Sequence, residues 1–166
     1  QLDLLLAEMA IGDIYDLPDE AAVRAKAKSL GVQDAATALT DALIDGIFKQ
    51  TAEPHLVNPT FLTHHPATMA PLCRRSPEDP RVSERFEVFV AGFELANAYT
   101  ELNDPIAQRR ELENQLARRE EGTVGRIDED FIHALEHGMP PAGGLGIGID
   151  RLLMLLLEKT SLRDVI

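Results

Sequence analysis

Between residues 142 and 151 the chain reads Ala142-Gly143-Gly144-Leu145-Gly146-Ile147-Gly148-Ile149-Asp150-Arg151, and the apolar run Leu152-Leu153-Met154-Leu155-Leu156-Leu157 follows at once. Alternation along a strand puts Gly144, Gly146 and Gly148 on one face and Leu145, Ile147 and Ile149 on the other. The apolar face is expected to pack on a core. The glycine face is bare backbone, a floor that a planar ring can approach closely. Asp150 is predicted to be the N-cap of a buried apolar helix, with Arg151 in its first turn. A helix N-terminus and a guanidinium beside a flat floor suit a nucleotide, its base on the floor and its phosphate at the Arg. The glycines fall at every second residue, so this is not a G-x-G-x-x-G dinucleotide fingerprint.

The 166 residues fit one domain with a real core. A formal net charge of -12 argues against this piece alone gripping a phosphate backbone, which needs a basic face. It leaves carboxylates available for a metal or a cationic ligand. The single Cys73 excludes an internal disulfide and fits a reducing compartment. The longest apolar run is too short for a membrane span. The chain opens on Gln1 within an apolar run and closes on Asp164-Val165-Ile166, which reads as the start of a strand. Both ends are expected to be cuts in a larger fold.

Residues 1–15 carry Leu4, Leu5, Met9 and Ile11 at roughly helical spacing. Leu17-Pro18-Asp19 opens a short helix with Val23, Ala27 and Leu30 inward and Gly31 as its stop. Asp34 is expected to cap a stronger helix bearing Leu39, Leu43 and Ile47, flanked by Ile44 and Phe48. Leu56 to Thr63 reads as a strand around Pro59, hence an edge or a bulge. Residues 66–84 read as a loop and 85–101 as β structure. Asn103-Asp104-Pro105 starts a helix with Leu112 and Leu116 on one face and an Arg109/Glu113 pair at i,i+4, ending near Gly122. Ile127-Asp128 opens another, stopped by Gly138-Met139-Pro140-Pro141. Helices gathered around strands without regular crossovers predict an α+β fold with an antiparallel sheet.

Ala91-Gly92 is a plausible two-residue hairpin loop, which sets Val90 against Phe93 and Phe89 against Glu94. Glu87 and Glu94 are then diagonal neighbours on one face, roughly 7 Å apart at Cα. Such a pair repels unless a cation lies between them, and Mg²⁺ bridging to phosphates takes one or two protein carboxylates in this way. The alternative is two glutamates on a solvated face. Strict alternation turns Asn97, Tyr99 and Glu101 away from Glu94, so a shared pocket requires a bulge between residues 94 and 97.

Several segments together resemble class II lysyl-tRNA synthetases. They are Asn58-Pro59-Thr60-Phe61-Leu62, Ala70-Pro71-Leu72-Cys73-Arg74-Arg75-Ser76, Glu84-Arg85-Phe86-Glu87, the run from Glu94 to Pro105, Gly138-Met139-Pro140-Pro141, Gly144 to Arg151, and Leu162-Arg163-Asp164-Val165-Ile166. The likeness is strong from about residue 54 onward and faint before it. Aspartyl and asparaginyl relatives share the glycine strand but usually carry Leu-Glu-Arg in place of Ile149-Asp150-Arg151.

The resemblance implies that residues 1–166 are part of a class II catalytic domain, an antiparallel sheet flanked by helices. Residues 1–53 would be a mostly helical lead-in, and 54–166 would hold the metal and amino-acid hairpin, helices and glycine-strand ATP motif. By that similarity ATP lies on Gly144, Gly146 and Gly148, with Arg151 as the catalytic residue at the γ-phosphate. Glu87 and Glu94 would hold Mg²⁺, and Asn97, Tyr99 and Glu101 would receive lysine. A carboxylate in a partly desolvated pocket selects a cationic side chain well, because a neutral analogue leaves the charge unpaired. The implied reaction is lysine activation by ATP and transfer to tRNA, in a homodimeric protein of the cytoplasm or of an organelle. Of the three class II motifs only the third is present. The first builds the dimer interface and the second supplies an Arg to the α-phosphate; Arg85-Phe86-Glu87 has the second motif's R-x-E form, but its neighbours align it with the metal strand. This piece alone is therefore expected not to catalyse. A truncated synthetase-derived scaffold and a paralogue that lysylates protein are the other readings, and the run Asn97 to Pro105 looks closer to the tRNA enzymes.

Three signals were weighed against this reading. His133 and His137 share helical i,i+4 spacing but lack a third ligand. His64 and His65 read as a strand end or loop; Arg74 and Arg75 are neighbours that can lower a thiol pKa, but Cys73 reads rather as a family loop position held by a small residue.

Overall fold

The computed structural model describes residues 19–117 and 125–166. The expected apolar helix in residues 1–15 and the helix stop near Gly122 lie outside them. Helix α1 (Glu20–Ser29) is N-capped by the Asp19 carboxylate, which accepts from the Ala22 amide, and it buries Val23 and Ala27. Helix α2 (Thr40–Thr51) buries Leu43, Ile44, Ile47 and Phe48. Its start differs from expectation. Asp34 adopts φ 52° within a turn, and the N-cap is Leu39, which has no side-chain cap bond. The reason is Arg24, whose Nη1 donates to the carbonyls of Ala35, Ala36 and Ala38 and holds that segment out of the helix.

Four strands follow, β1 (Thr60–Pro66), β2 (Val82–Val90), β3 (Phe93–Thr100) and β4 (Gly143–Ile147), paired antiparallel in the order β1-β2-β3-β4. Strand β1 is an edge, starts just after Pro59 and is broken in register between Thr63 and His65. It begins later than Leu56 because the Leu56 and Val57 carbonyls instead accept from Gly92 and Ala91 at the β2–β3 turn. Both turn residues have positive φ, 55° and 78°, as a two-residue hairpin requires. Strand β2 also starts earlier than expected, at Val82, and residues 67–69 form a 3-10 turn.

Helix α3 (Pro105–Ala117) begins on Asp104, whose Oδ1 accepts from Ile106 and Ala107. Its most buried residues are Gln108 and Glu111 rather than Leu112 and Leu116, because Gln108 donates to the Pro71 carbonyl and Glu111 takes a bidentate contact from Arg75. Arg109 pairs with Glu129 of helix α4 (Glu129–Glu136) rather than with Glu113. Helix α5 (Ile149–Leu156) is N-capped by Gly148, not by Asp150. The Gly148 amide bonds the Leu95 carbonyl, so the chain leaves the sheet there and turns into the helix before Asp150 is reached. Asp164-Val165-Ile166 begins no strand; Leu162–Asp164 is a 3-10 turn. No helix of the described residues is long and apolar enough to cross a membrane.

The core lies between the α1/α2 pair and one face of β1 and β2, with Leu62 and Phe89 packed on Ile47 and Phe48. The Phe48 and Phe89 rings meet edge-on at 5.5 Å. On the opposite face Leu145, Ile147 and Ile149 are 64%, 48% and 62% exposed, and Leu156 is 70% exposed. The expectation that this side of the glycine strand packs on a core, and that α5 is buried, is therefore not met. Strand β4 is the far edge of the sheet, and the described core sits at the other end.

Two measurements test this packing. Ile47 is fully buried, so Ile47→Val should cost about 0.5–1.5 kcal/mol of unfolding free energy and Ile47→Ala about 2–5 kcal/mol, read from urea midpoints. His65 is buried, and desolvation together with the nearby Arg85 charge lowers its pKa to about 4. Its unfolded value lies higher, near 6.5. Between these values the unfolded chain holds the extra proton, so stability is full above about pH 6.5 and falls as pH drops towards 4, by about 3 kcal/mol in all. His65→Gln should flatten that part of the stability profile; an unchanged profile would contradict it.

Candidate functional site

Strand β3 carries an extra residue. Phe89 pairs with Glu94 but Val88 pairs with Ala96, so Leu95 has no partner on β2. Beyond this bulge Glu87 faces Asn97 and Arg85 faces Tyr99. Directly opposed residues share a face. Glu94, Asn97 and Tyr99 therefore join Arg85 and Glu87 on one side of the sheet, and the Asn97 amide nitrogen donates to Glu94 Oε1 at 2.9 Å. The required phase break falls within the interval 94–97.

The same face runs onto β4. Tyr99 opposes Gly144 and Asn97 opposes Gly146. A methyl group on Gly144 would overlap the Glu101 carboxylate, and one on Gly146 would lie 3.7 Å from Asn97 Oδ1. Glu101 thus lies over the glycine floor, at a bridge with Cys73 just past the end of β3. At the other end Arg151 projects from the first turn of α5, donates to the Glu94 main-chain carbonyl and lies 3.8 Å from Glu94 Oε2. A cavity of about 380 Å³ opens here, walled by Glu94, Asn97, Gly146, Gly148, Asp150 and Arg151.

All the residues singled out in the sequence lie on this face: Glu87, Glu94, Asn97, Tyr99, Glu101, Gly144, Gly146 and Arg151, with Gly148 at its edge. Helix α2 covers the β1–β2 half of the face and leaves the β3–β4 half open. Glu87 sits at the border. Burial pushes its carboxyl above the usual range, Arg85 opposes that shift, and Glu94 adds to it. Arg85 Nη2 hydrogen-bonds Glu87 Oε1, and His65 Nε2 stands 3.9 Å from Oε2.

Sequence reasoning missed the contribution of α2. Its Asp45 and Lys49, with Glu53 in the 3-10 turn that follows (Glu53–His55), stand at i,i+4,i+8, visible as such in the sequence. Lys49 bonds Asp45 at 2.7 Å, and burial raises the Glu53 carboxyl while Lys49 opposes the shift. Asp45 and Glu87 line a common cavity of about 60 Å³. Cys73 is not activated by its neighbours: burial pushes its thiol up to about 11, outweighing the Arg85 charge, while Arg74 turns to Glu84 and Arg75 to Glu111. His133 and His137 make only a local contact, His137 Nδ1 to the His133 carbonyl. Among the described residues no three His, Cys, Asp or Glu side chains gather to hold a metal unaided.

Chemically, the face combines an open backbone floor, two carboxylates at one end beside a guanidinium, and a third carboxylate next to a phenol at the other. Comparisons with known proteins give the family. The family described as tRNA synthetases class II (D, K and N) matches residues 8–166. A lysine–tRNA ligase of Moorella thermoacetica is 49% identical over 156 residues, covering 93% of this chain and 32% of the relative. Lysine–tRNA ligases of two Staphylococcus aureus strains are 47% and 46% identical with the same coverage. The chain spans about a third of the length of these curated relatives. A match over nearly its whole length, carried by a four-stranded antiparallel α+β sheet with its glycine strand at one edge, makes this chain a member of the class II tRNA synthetases of the D, K and N group.

Proposed function

We propose that the protein containing this chain activates lysine with ATP and transfers it to tRNA, and that residues 19–166 supply part of the ATP, metal and lysine sites. The observation that carries this reading is the Glu101 carboxylate held over Gly144 beside Tyr99, on the same face as Glu87 and Glu94. A half-buried carboxylate at the end of a bare floor recognises an ammonium group, and a neutral amino acid of like shape would leave it unpaired. The names of the relatives point to the same amino acid.

The donor set fits Mg²⁺. Two carboxylates on one face, with no third ligand gathered around them among the described residues, match a cation that draws its remaining ligands from phosphate and water. Glu87 and Glu94 would hold it, and it would supply charge neutralisation on the phosphates. Gly144, Gly146 and Gly148 would admit the adenine, and Arg151 would meet the γ-phosphate. Asn97 and Tyr99 would line the lysine pocket, with Glu101 on the ammonium. The lysine carboxylate would then attack the ATP α-phosphate and expel pyrophosphate, a reaction driven by positioning and charge stabilisation rather than by a protein nucleophile. The arginine that class II enzymes place on the α-phosphate would come from another part of the protein, as would tRNA binding and the surface of a homodimer. A place in the cytoplasm belongs to the same proposal.

Selectivity tests it in the full-length protein by lysine-dependent pyrophosphate exchange. Losing the charge partner of the ammonium should cost about 2–5 kcal/mol, hence roughly a thirty- to several-thousand-fold higher KM for lysine in Glu101→Gln. The KM for ATP should move far less. Arg151→Ala should invert the pattern. Equal losses in both titrations for Glu101→Gln, or none, would contradict the assignment.

A further inference from the structure

Arg85 is a charged side chain on the site face with no part in the proposed reaction. It stands in register with Tyr99, two residues before Glu87, and so lies between the proposed lysine and metal ends of the face. At i,i+2 on a strand the two side chains point the same way. The guanidinium is 23% and the Glu87 carboxylate 14% exposed, and they are joined through Arg85 Nη2 and Glu87 Oε1. The remaining oxygen, Oε2, makes no hydrogen bond among the described residues; His65 Nε2 stands 3.9 Å away, too far for one. One oxygen of Glu87 is thus tied and the other is open.

Three cavities meet at Arg85. One, of about 390 Å³, lies towards Asp41, Asp45 and Gln115; a second, of about 210 Å³, lies towards Cys73 and Tyr99; the third is the small one shared with Glu87. Arg85 thus has space on several sides and Glu87 on one, and the ion pair is the polar contact that fixes the two side chains to each other. Buried Arg85 Nε has no acceptor among the described residues, so the tie to Glu87 is not duplicated through that nitrogen.

We infer that Arg85 is a positioning residue for the divalent cation, holding Glu87 through one oxygen so that its carboxylate keeps a fixed place on the face it shares with Glu94. The inference rests on the proposal that Glu87 and Glu94 hold that cation. Hydrogen-bonded partners of ligating carboxylates commonly set metal affinity, and their loss weakens binding about 10–100-fold. A planar guanidinium fixes a carboxylate more tightly than an ammonium does, so lysine at this position should do the task only in part.

The test is direct metal binding to the full-length protein, with Mn²⁺ as the paramagnetic probe and α,β-methylene-ATP as a non-reacting nucleotide. Free Mn²⁺ is read from its electron paramagnetic resonance signal, and lysine binding is followed in parallel by equilibrium dialysis. Arg85→Met should weaken Mn²⁺ binding about 10–100-fold, with Arg85→Lys recovering part of it and lysine affinity changing less than about threefold in both. Unaltered Mn²⁺ affinity in Arg85→Met overturns the inference. So does an equal loss of Mn²⁺ and lysine binding in both variants, which marks a general structural role. Glu87→Gln and Glu94→Gln separate the two levels of the argument. If neither weakens Mn²⁺ binding to the otherwise native protein, the metal site itself is misassigned and the role of Arg85 falls with it.

Discussion

The bulge at Leu95 does two things at once, and the site depends on both. It resets the alternation of β3, so that Glu94 and the later residues Asn97, Tyr99 and Glu101 look out from one face. Main-chain carbonyls at the same place hold the glycine strand's exit: the Leu95 carbonyl takes the Gly148 amide at 2.9 Å, and the Glu94 carbonyl takes Arg151. A regular ladder would set Glu94 and Glu101 on opposite sides of the sheet. The same irregularity therefore chooses which side chains meet and where helix α5 begins.

Around that point the fold divides its labour. Helix α2 buries Ile47 and Phe48 against Leu62 and Phe89, closing one half of the face with a dry core. The open half is floored by residues with no side chains. Glu87 stands where the two halves meet, which explains its shifted carboxyl: it is close enough to the core to be desolvated and close enough to Glu94 to be repelled, with Arg85 as the fixed counter-charge. The Arg75–Glu111 and Gln108–Pro71 contacts tie the loop bearing Cys73 to helix α3, so the wall at the Glu101 end rests on a helix of its own.

Much of this was legible in the residues. The Ala91-Gly92 turn fixed the pairing of Phe89 with Glu94, and from that pairing alone the need for a bulge before Asn97 could be argued. The α+β class followed from helices gathered around strands without regular crossovers, and the helix starts at Asp19, Asp104 and Asp128 from local capping chemistry. Errors arose where a distant partner decided the outcome. Asp34 lost its helix to Arg24, Asp150 lost its cap to the Leu95 carbonyl, and Leu112 gave way to buried Glu111 because Arg75 comes from another loop. The exposed Leu145, Ile147 and Leu156 were misjudged for a related reason: periodicity tells which side is apolar but not what lies against it. Burial of Cys73 likewise depends on the sheet around it and not on its neighbours Arg74 and Arg75.

The central claim is that one face of one sheet gathers the metal carboxylates, the glycine floor and the lysine carboxylate. The most direct measurement is a crystal structure of the full-length protein with lysine, α,β-methylene-ATP and Mn²⁺, the metal being located by anomalous scattering. The account predicts an anomalous peak ligated by Glu87 and Glu94, adenine against Gly144 to Gly148, and the lysine ammonium on Glu101, all on the side of the sheet that α2 partly covers. A metal peak away from both glutamates, or a lysine ammonium bound without Glu101, would contradict it.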